Sequence, residues 1–424
     1  MTYAQAIQFL YDLQIFGANF GLETPRKLAA LAGHPEKNLR FIHVAGTNGK
    51  GSTCAMLESI YRAAGLRTGL FTSPHLVSFR ERIQVDRQLI SENEVARFVA
   101  EIKESLKTFP PEAHPTFFEV VAILALKFFA EQKCDLVIWE TGLGGRLDAT
   151  NIVTPIASVI TNIALDHEQW LGDSLEKIAA EKAGIIKSGI PIVTSVEEVE
   201  ALAVIKKIAA EKNAPLAKVN PNCEIENPKS LLGSHQKTNA ALALTTVEIL
   251  QRQIPVSERQ IQSGLQNVNW PGRLQLIQKP DGQKILLDGA HNLAGAKALR
   301  AALETHFSGE KLVFIFGALA DKNWPEICRT LAPLAVKIFT VPVASARTAN
   351  AKELAKKFHS ANPQAEVIVC ANLSEALNAS KDVPFIVIAG SLYLIGEVLQ
   401  QLGFASEIAG EHGLNEWITS SSAR

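Results

Sequence analysis

The chain has 424 residues, too many for one hydrophobic core of ordinary size, so its length predicts two domains. Its formal net charge is -1 and it carries no basic block, which gives no electrostatic basis for binding nucleic acid or an anionic membrane. No apolar run approaches the length of a membrane span. The five cysteines are scattered without a CxxC pair, a pattern that predicts a cytoplasmic protein with reduced thiols.

Short apolar runs alternate with helical patterns along the whole chain. An amphipathic helix without the basic start of a signal peptide is predicted over residues 1–16. The predicted strands are 40–45, 68–71, 135–140, 157–162, 191–194, 285–288, 312–316, 337–341, 366–370 and 385–389. The predicted helices include 52–64, 116–131, 174–187, 198–212, 237–250, 294–306 and 351–358. This alternation predicts an α/β protein whose parallel sheets are covered by helices.

A Pro-Gly pair at 271–272 separates a helical stretch from a new series of strands and helices, and it predicts a domain boundary. The chain then divides into residues 1–271 and 272–424. A polar stretch at 220–228 is predicted to be an internal connection, and the Ser-rich end at 419–424 is predicted to be frayed.

Residues 46–52 form a glycine-rich turn between a predicted strand and a predicted helix. The backbone N–H groups of such a turn, the helix N-terminus and Lys50 can together hold the phosphates of a nucleotide. The match to the general phosphate-loop pattern is incomplete, because Val44 replaces a glycine and Gly51 separates Lys50 from Ser52. Similar turns occur without a ligand. The helix that follows favours the nucleotide interpretation.

Several polar residues follow predicted strands, where ligands of α/β sheets collect. Glu140 can bind the Mg²⁺ that accompanies ATP, or it can be a solvated carboxylate at a strand end. Ser73 is a second oxygen donor, although Ser-Pro also starts turns. His167, next to Asp166, can be functional or can cap the loop before the next helix.

Other candidates lie at helix starts or inside helical patterns. Thr116 and Glu119 fit a capping box, which favours a structural role for Glu119. Phe117 and Phe118 can belong to the core or line a flat ligand. An exposed position is the default for Lys182. In the segment 288–292 an Asp, a His and an Asn follow a strand directly, and Asn292 can cap the next helix.

Taken in chain order, these motifs resemble the folylpolyglutamate synthase and dihydrofolate synthase family of the Mur ligase superfamily. The motifs cover nearly the whole chain and lie at 46–52, 72–76, 116–119, 140–151, 165–167, 181–185, 270–273 and 288–292. The additional Gly51 is the variant that this family carries.

The resemblance implies a P-loop parallel-sheet ATPase domain over 1–271 and a smaller Rossmann-like α/β glutamate-ligase domain over 272–424. It implies a cytoplasmic, monomeric enzyme that joins L-glutamate to a folate-type carboxylate through an acyl phosphate, with ATP held between the domains. The implied cofactor is Mg²⁺, and a monovalent cation is a further candidate. Neither nucleic acid nor a membrane is an expected partner.

The resemblance also assigns roles to residues. ATP binding falls to Thr47, Asn48, Gly49, Lys50, Gly51, Ser52, Asn239, Arg273 and Asp288. Metal binding falls to Ser73, Glu140 and His167. The catalytic set is Lys50, Lys182 as a carbamate, His291 and Asp288. The carbamate role would overturn the exposed default for Lys182.

The positions that hold the pterin of dihydropteroate in bifunctional members correspond to Thr116, Phe117, Phe118, Glu119, Leu147, Asp148 and Ala149. They favour an enzyme that acts on both dihydropteroate and reduced folates. Segment 18–22 matches the family's N-terminal substrate segment, and Arg347 with the pair Asp321 and Lys322 is the candidate glutamate pocket.

Three alternatives stay open. The first is a folylpolyglutamate synthase without dihydrofolate synthase activity. The second is a peptidoglycan-type Mur ligase, against which Gly51 and the motif at 116–119 speak. The third is a nucleotide-binding scaffold, against which the intact set of metal and hinge residues speaks.

Overall fold

Two separate β-sheets organise the computed structural model, which describes residues 1–17, 21–219, 231–404 and 411. The described residues form two units. The first contains 1–17, 21–219 and 237–268, and the second contains 231–236, 269–404 and Glu411. The domain boundary between residues 271 and 272 stays a prediction.

The sheet of the first unit has eight strands in the order β4-β3-β2-β5-β1-β6-β7-β8. All its pairs are parallel except β2 with β3 and β3 with β4. The strands are β1 (Phe41–Ala45), β2 (Thr68–Phe71), β3 (Ile83–Val85), β4 (Gln88–Leu89), β5 (Leu136–Glu140), β6 (Ala157–Ile160), β7 (Ile192–Thr194) and β8 (Leu216–Lys218).

Helices connect and cover these strands. They are α1 (Tyr3–Asp12), α2 (Glu23–Leu31), α3 (Lys50–Ala63), α4 (Glu92–Leu106), α5 (Phe117–Glu131), α6 (Glu168–Leu171), α7 (Leu175–Ala183), α8 (Val199–Glu211), α9 (His235–Leu250) and α10 (Glu258–Gln266). The helix predicted at 174–187 ends early, because Gly184 is its C-cap. Among the described residues no helix combines the length and the apolar character that crossing a bilayer requires.

The central strands of this sheet are buried on both faces. All five residues of β5 are buried, as are all five of β1. Trp139 of β5 is fully buried, and its ring contacts Phe71 with the centroids 4.3 Å apart. Strands covered on both faces read as continuous apolar runs, which explains why the sequence predicts them well.

The sheet of the second unit has six strands in the order β13-β12-β11-β14-β10-β9, and only β9 is antiparallel to its neighbour. The strands are β9 (Gln275–Gln278), β10 (Lys284–Asp288), β11 (Leu312–Phe316), β12 (Ala335–Thr340), β13 (Glu366–Val369) and β14 (Phe385–Ala389). The helices are α11 (Leu293–His306), α12 (Trp324–Leu331), α13 (Ala351–Ala361), α14 (Leu373–Ala379) and α15 (Leu392–Gln401). Both units are α/β, as the sequence predicts.

Some expectations fall outside the described residues. They concern most of the N-terminal substrate segment at 18–20, the connection at 220–228, the chain end at 419–424 and Cys223.

Helix α3, which follows the glycine-rich turn, packs against α10. A Cβ atom added to Gly264 would lie 2.5 Å from the Ile60 Cα atom of α3, and the Ser59 hydroxyl donates to the Gly264 carbonyl oxygen at 2.7 Å. We expect Gly264→Ala to force the two helices apart at a cost of about 1–3 kcal/mol. Thermal unfolding checks this as a midpoint lowered by about 3 °C or more.

Gly309→Ala provides the matched control, because an added Cβ there meets no atom within 4 Å. An unfolding midpoint for Gly264→Ala equal to that of Gly309→Ala would contradict the expected packing effect.

Candidate active site

The glycine-rich turn between β1 and α3 adopts a conformation that depends on two of its glycines. Gly46 has φ 151° and Gly49 has φ 82°. A Cβ atom at Gly46 would overlap the Thr161 hydroxyl, and one at Gly49 would overlap the side-chain oxygen of Asn239. The structure therefore places Asn239 against this turn, residues 46–52, called the phosphate loop below. The predicted contact of Asn239 with a nucleotide stays a prediction.

The phosphate loop is anchored by residues that follow β6, the parallel neighbour of β1. The Thr47 N–H donates to the Asn162 carbonyl oxygen at 2.9 Å, and the Asn48 N–H donates to the Asn162 side-chain oxygen at 2.7 Å. The Thr161 hydroxyl donates to the Asn48 carbonyl oxygen at 2.6 Å. Thr161 and Asn162 are not among the site residues predicted from the sequence, although their position at the carboxyl end of a predicted strand is a signal for them.

Two lysine ammonium groups converge on one carbonyl oxygen of this loop. Lys50 Nζ lies 3.1 Å from the Gly46 oxygen, and Lys182 Nζ lies 2.8 Å from the same atom. Lys182 is 4% exposed, so the default expectation of an exposed helix lysine is wrong. Burial, together with the positive charge of Lys50, lowers the pKa of Lys182 to about 7. A neutral amine is therefore accessible near physiological pH.

Glu140 ends β5 directly beside the end of β1. The Thr141 N–H donates to the Val44 carbonyl oxygen at 2.9 Å, and the Ser73 N–H donates to Glu140 Oε2 at 3.1 Å. Glu140 is 3% exposed, so it is not a solvated strand-end carboxylate. The structure thus places Ser73 and Glu140, two of the three predicted metal ligands, in hydrogen-bond contact.

His167, the third predicted metal ligand, precedes α6 in the left-handed conformation with φ 52°. Its Nε2 atom lies 3.9 Å from Asp166 Oδ1. Within the described parts of the chain, no three His, Cys, Asp or Glu residues form a metal-binding group. A Mg²⁺ site that keeps several waters and binds substrate phosphates does not require such a group.

The capping box predicted at the start of α5 is confirmed. The Thr116 N–H donates to Glu119 Oε2 at 2.7 Å, and the Glu119 N–H donates to the Thr116 hydroxyl at 3.4 Å. Burial raises the pKa of Glu119 to about 7. The two aromatic residues of the motif differ: Phe117 packs in the core, whereas Phe118 is half-buried and covers Gly142.

The segment after Glu140, residues 141–151, forms a loop closed by Asp148. The Leu143 N–H donates to Asp148 Oδ2 at 2.8 Å, and the Thr150 N–H donates to Asp148 Oδ1 at 3.0 Å. The Thr150 hydroxyl also donates to Asp148 Oδ1. The observed role of Asp148 is therefore to shape the loop that carries the half-buried Leu147 and the buried Ala149. Its predicted contact with a pterin stays a prediction.

The same loop interlocks with the helix that carries Lys182. A Cβ atom at Gly145 would lie 2.9 Å from the Lys182 carbonyl oxygen, and one at Gly184 would overlap the Arg146 side chain. The Asn151 side-chain amide donates to the carbonyl oxygens of Arg146 at 3.0 Å and of Gly184 at 3.1 Å. The loop and the end of α7 are therefore packed backbone to backbone.

In the second unit the structure places three predicted site residues, Arg273, Asp288 and His291, around the carboxyl end of β10. Asp288 is buried and accepts the N–H groups of Leu274 and Ala290, each at 2.9 Å. Burial raises the pKa of Asp288, and the positive charge of Arg273 opposes that rise. The His291 Nδ1 atom lies 2.8 Å from the Gly289 carbonyl oxygen.

Asn292 caps α11, as the sequence predicts, by accepting the Gly295 N–H at 2.8 Å. Elsewhere in this unit, Arg347 Nη1 lies 3.2 Å from Asp321 Oδ2, and Arg347 Nη2 lies 3.2 Å from the Tyr393 hydroxyl oxygen. Two of the three candidates for the glutamate pocket are thus in contact.

A phosphate loop on a parallel sheet, a buried lysine at that loop and a second α/β unit define an ATP-dependent ligase built from Mur ligase domains. The model of the Mur ligase middle domain matches residues 44–219, and that of the Mur ligase, glutamate ligase domain matches residues 272–392. The "dihydrofolate synthase/folylpolyglutamate synthase" of Bacillus subtilis is 38% identical, with 95% of this chain and 99% of that protein covered.

The protein of the same name from Escherichia coli is 33% identical, and 94% of each chain is covered. Among solved structures, E. coli FolC in complex with DHPP and ADP matches with a TM-score of 0.85 and 30% identity, covering 95% of this chain and 98% of that one. The folylpolyglutamate synthase of Thermotoga maritima matches with a TM-score of 0.83 and 32% identity, covering 97% and 98%. The chain belongs to the folylpolyglutamate synthase/dihydrofolate synthase family of ATP-dependent ligases.

Proposed function

We propose that this enzyme joins L-glutamate to dihydropteroate and to reduced folates, using one ATP for each amide bond. The observation that carries the proposal is the arrangement of two neighbouring strands. The phosphate loop follows β1, and the acceptor loop at 141–151 follows β5, which pairs with β1 in parallel. Nucleotide and acceptor can thus meet at one sheet edge. The relatives named for both activities support this choice of acceptors.

The proposed chemistry has two steps. An oxygen of the acceptor carboxylate attacks the γ-phosphorus of ATP, ADP leaves, and an acyl phosphate forms. The glutamate amine then attacks the acyl carbon, phosphate leaves from the tetrahedral intermediate, and the amine loses a proton as the amide forms. Such reactions depend on alignment and on charge stabilisation, since little covalent chemistry falls to the protein.

In the first unit, we assign the binding of the ATP phosphates to residues 47–52 and to Asn239. The buried Glu140 carboxylate, the adjacent Ser73 and His167 supply donors that suit Mg²⁺. Bound Mg²⁺ would neutralise and align the phosphate oxygens.

Lys182 is the proposed site of a carbamate. Its neutral Nζ would attack carbon dioxide, forming an N–C bond and releasing one proton. The product is a fixed negative charge beside the phosphate loop, where it can support the metal. The burial of Lys182 and its pKa of about 7 support this assignment, because the neutral amine is the nucleophilic form.

In the second unit, we assign nucleotide contacts to Arg273 and Asp288, and a role near the transferred phosphoryl group to His291. Arg347 is the candidate for binding a carboxylate of the incoming glutamate, since a guanidinium group matches a carboxylate in geometry. We expect a monomer. The described cysteines are free thiols, which suits the proposed cytoplasmic location.

A second candidate function is folylpolyglutamate synthesis without dihydrofolate synthesis. The protein of Lacticaseibacillus casei named "folylpolyglutamate synthase" favours it, being 32% identical with 95% of this chain and 99% of that protein covered. Both candidates require the same nucleotide site, so only the acceptor distinguishes them.

The test is glutamate ligation by the purified protein with ATP and Mg²⁺, with dihydropteroate in one arm and tetrahydrofolate in the other. Phosphate release and product mass are the readouts. We expect products in both arms. Product with tetrahydrofolate alone would establish the second candidate, and ATP binding without ligation in either arm would overturn both.

A further inference from the structure

His43 is an ionisable residue at the centre of a strand that is otherwise apolar. It is the third of the five residues of β1, Phe41–Ala45, and its side chain is fully buried. A leucine or valine would fill this buried position of the strand without the free-energy cost of burying a polar ring. The contacts of the ring indicate what it contributes instead.

The ring contacts one hydroxyl group. His43 Nε2 lies 2.9 Å from the Thr150 Oγ1 atom. Because that hydroxyl gives its own proton to Asp148, it can only accept from His43, which assigns the ring proton to Nε2. Nδ1 is then a bare acceptor, and it has no hydrogen-bond partner among the described residues. Burial lowers the pKa of His43 to about 3, with a smaller contribution from Lys187, so the ring is neutral.

Two residues that are neighbours on adjacent strands of the sheet form hydrogen bonds with Thr150. His43 of β1 is the register partner of Trp139 of β5. His43 contacts the Thr150 hydroxyl, and the Trp139 ring N–H donates to the Thr150 carbonyl oxygen at 3.0 Å. The side chain and the backbone of Thr150 are therefore both fixed by the rigid centre of the sheet.

Thr150 is connected to the acceptor loop by its hydrogen bonds to Asp148. The carboxylate of Asp148 accepts from the backbone N–H and the hydroxyl of Thr150 and from the N–H group of Leu143. These bonds join the two ends of the loop. A carboxylate has about four lone-pair sites, so the orientation of Asp148 is set by the chain's own donors.

We propose that His43 is a positioning residue for the acceptor substrate, acting through Thr150 and Asp148 on the acceptor loop at 141–151. The inference rests on the proposed function, because it requires this loop to bind the pterin part of dihydropteroate. His43 does not contact the reacting atoms. Its effect falls on acceptor binding and spares the phosphate loop, which is anchored separately by Thr161 and Asn162.

The test compares steady-state constants for variants that remove or keep the donor. We expect His43→Leu to raise KM for dihydropteroate about tenfold, the effect of losing one buried hydrogen bond. KM for ATP and kcat should each stay within about twofold. His43→Gln, whose amide N–H can reach the same hydroxyl, should stay within about threefold of the wild type for every constant.

Thr150→Val removes the bond to His43 together with the hydroxyl bond to Asp148, and it provides a second variant should His43→Leu fail to fold. It should reproduce the increase in KM for dihydropteroate, and the double variant should not exceed the larger single effect by more than about twofold, since both lie on one path. A general structural role predicts equal changes in KM for ATP and for the acceptor, and that result would overturn the inference.

The two proposals fail in different ways. Wild-type protein that does not ligate glutamate to dihydropteroate would overturn the acceptor assignment and this inference with it. Wild-type ligation combined with an unchanged KM for dihydropteroate in Thr150→Val would overturn the role of His43 alone.

Discussion

A Lys182→Met variant is expected to lose ligase activity by about 10²–10³-fold and to unfold at a higher temperature than the wild type. The loss follows from removing the group that would supply a fixed charge in the transition state, an effect of about 10²–10³-fold for a single well-placed group. The higher unfolding temperature follows from removing a buried amine whose charged form is destabilised by burial and by the positive charge of Lys50. Ligation rates and thermal unfolding without nucleotide are the two measurements.

The matched control is Lys177→Met on the same helix. Lys177 has 64% of its side chain exposed and pairs with Asp173, so its replacement should leave the rate within about twofold. Lys182→Met activity above a tenth of the wild-type value would contradict a catalytic role for Lys182.

The stability difference between Lys182→Met and the wild type should depend on pH. The pKa of Lys182 is about 7 in the folded state and has its ordinary value of 10.5 in the unfolded chain, so between these values the unfolded chain binds a proton that the folded chain lacks. The free energy of unfolding of the wild type therefore rises with pH over this window. Unfolding midpoints in buffers free of carbon dioxide should show the advantage of Lys182→Met largest below pH 7 and decreasing toward pH 10.

A Glu140→Gln variant is expected to need at least about tenfold more Mg²⁺ for half-maximal activity and to lose about 10²-fold in kcat/KM at limiting Mg²⁺. The amide oxygen of glutamine can still accept the Ser73 N–H, so the local structure should persist while the charge is lost. Magnesium titrations of the ligation rate check this expectation.

Glu58→Gln provides a buried control in the same unit. Glu58 is 1% exposed on the side chain and pairs with Arg62 of α3 at 2.7 Å. Its replacement should lower the unfolding midpoint without changing the magnesium requirement. Equal magnesium dependence for Glu140→Gln and the wild type would remove Glu140 from the proposed metal site.

The sequence predicts the parallel strands of both sheets, apart from the edge strand β8, because burial on two faces leaves continuous apolar runs. It does not predict the hairpin of β3 and β4. Those strands have only three and two residues, and their turn uses Asp86 and Arg87 with positive φ where a glycine would have been the signal. Local pattern therefore identified the interior of the sheet but not this antiparallel edge.

In the candidate site, too, the sequence predicts features that are local in the chain and not those that depend on distant residues. The glycine-rich turn and the Thr116 capping box are local in sequence, and both were recognised. The burial of Lys182 depends on Gly46, which lies 136 positions earlier, and the role of His43 depends on Thr150, 107 positions later. Pairs so far apart leave no mark in local periodicity, which explains why the exposed default for Lys182 is wrong and why the sequence does not single out His43.

The backbone interlock of Gly145 with Lys182 and of Gly184 with Arg146 limits how acceptor preference can be exchanged between relatives. A chimera that transplants only the acceptor loop would place foreign side chains against the end of α7, where a Cβ atom has no room. The smallest exchangeable segment therefore extends from the end of β5 to Gly184 and includes Lys182. In this fold, a change of substrate by recombination must transfer the proposed catalytic lysine together with the loop.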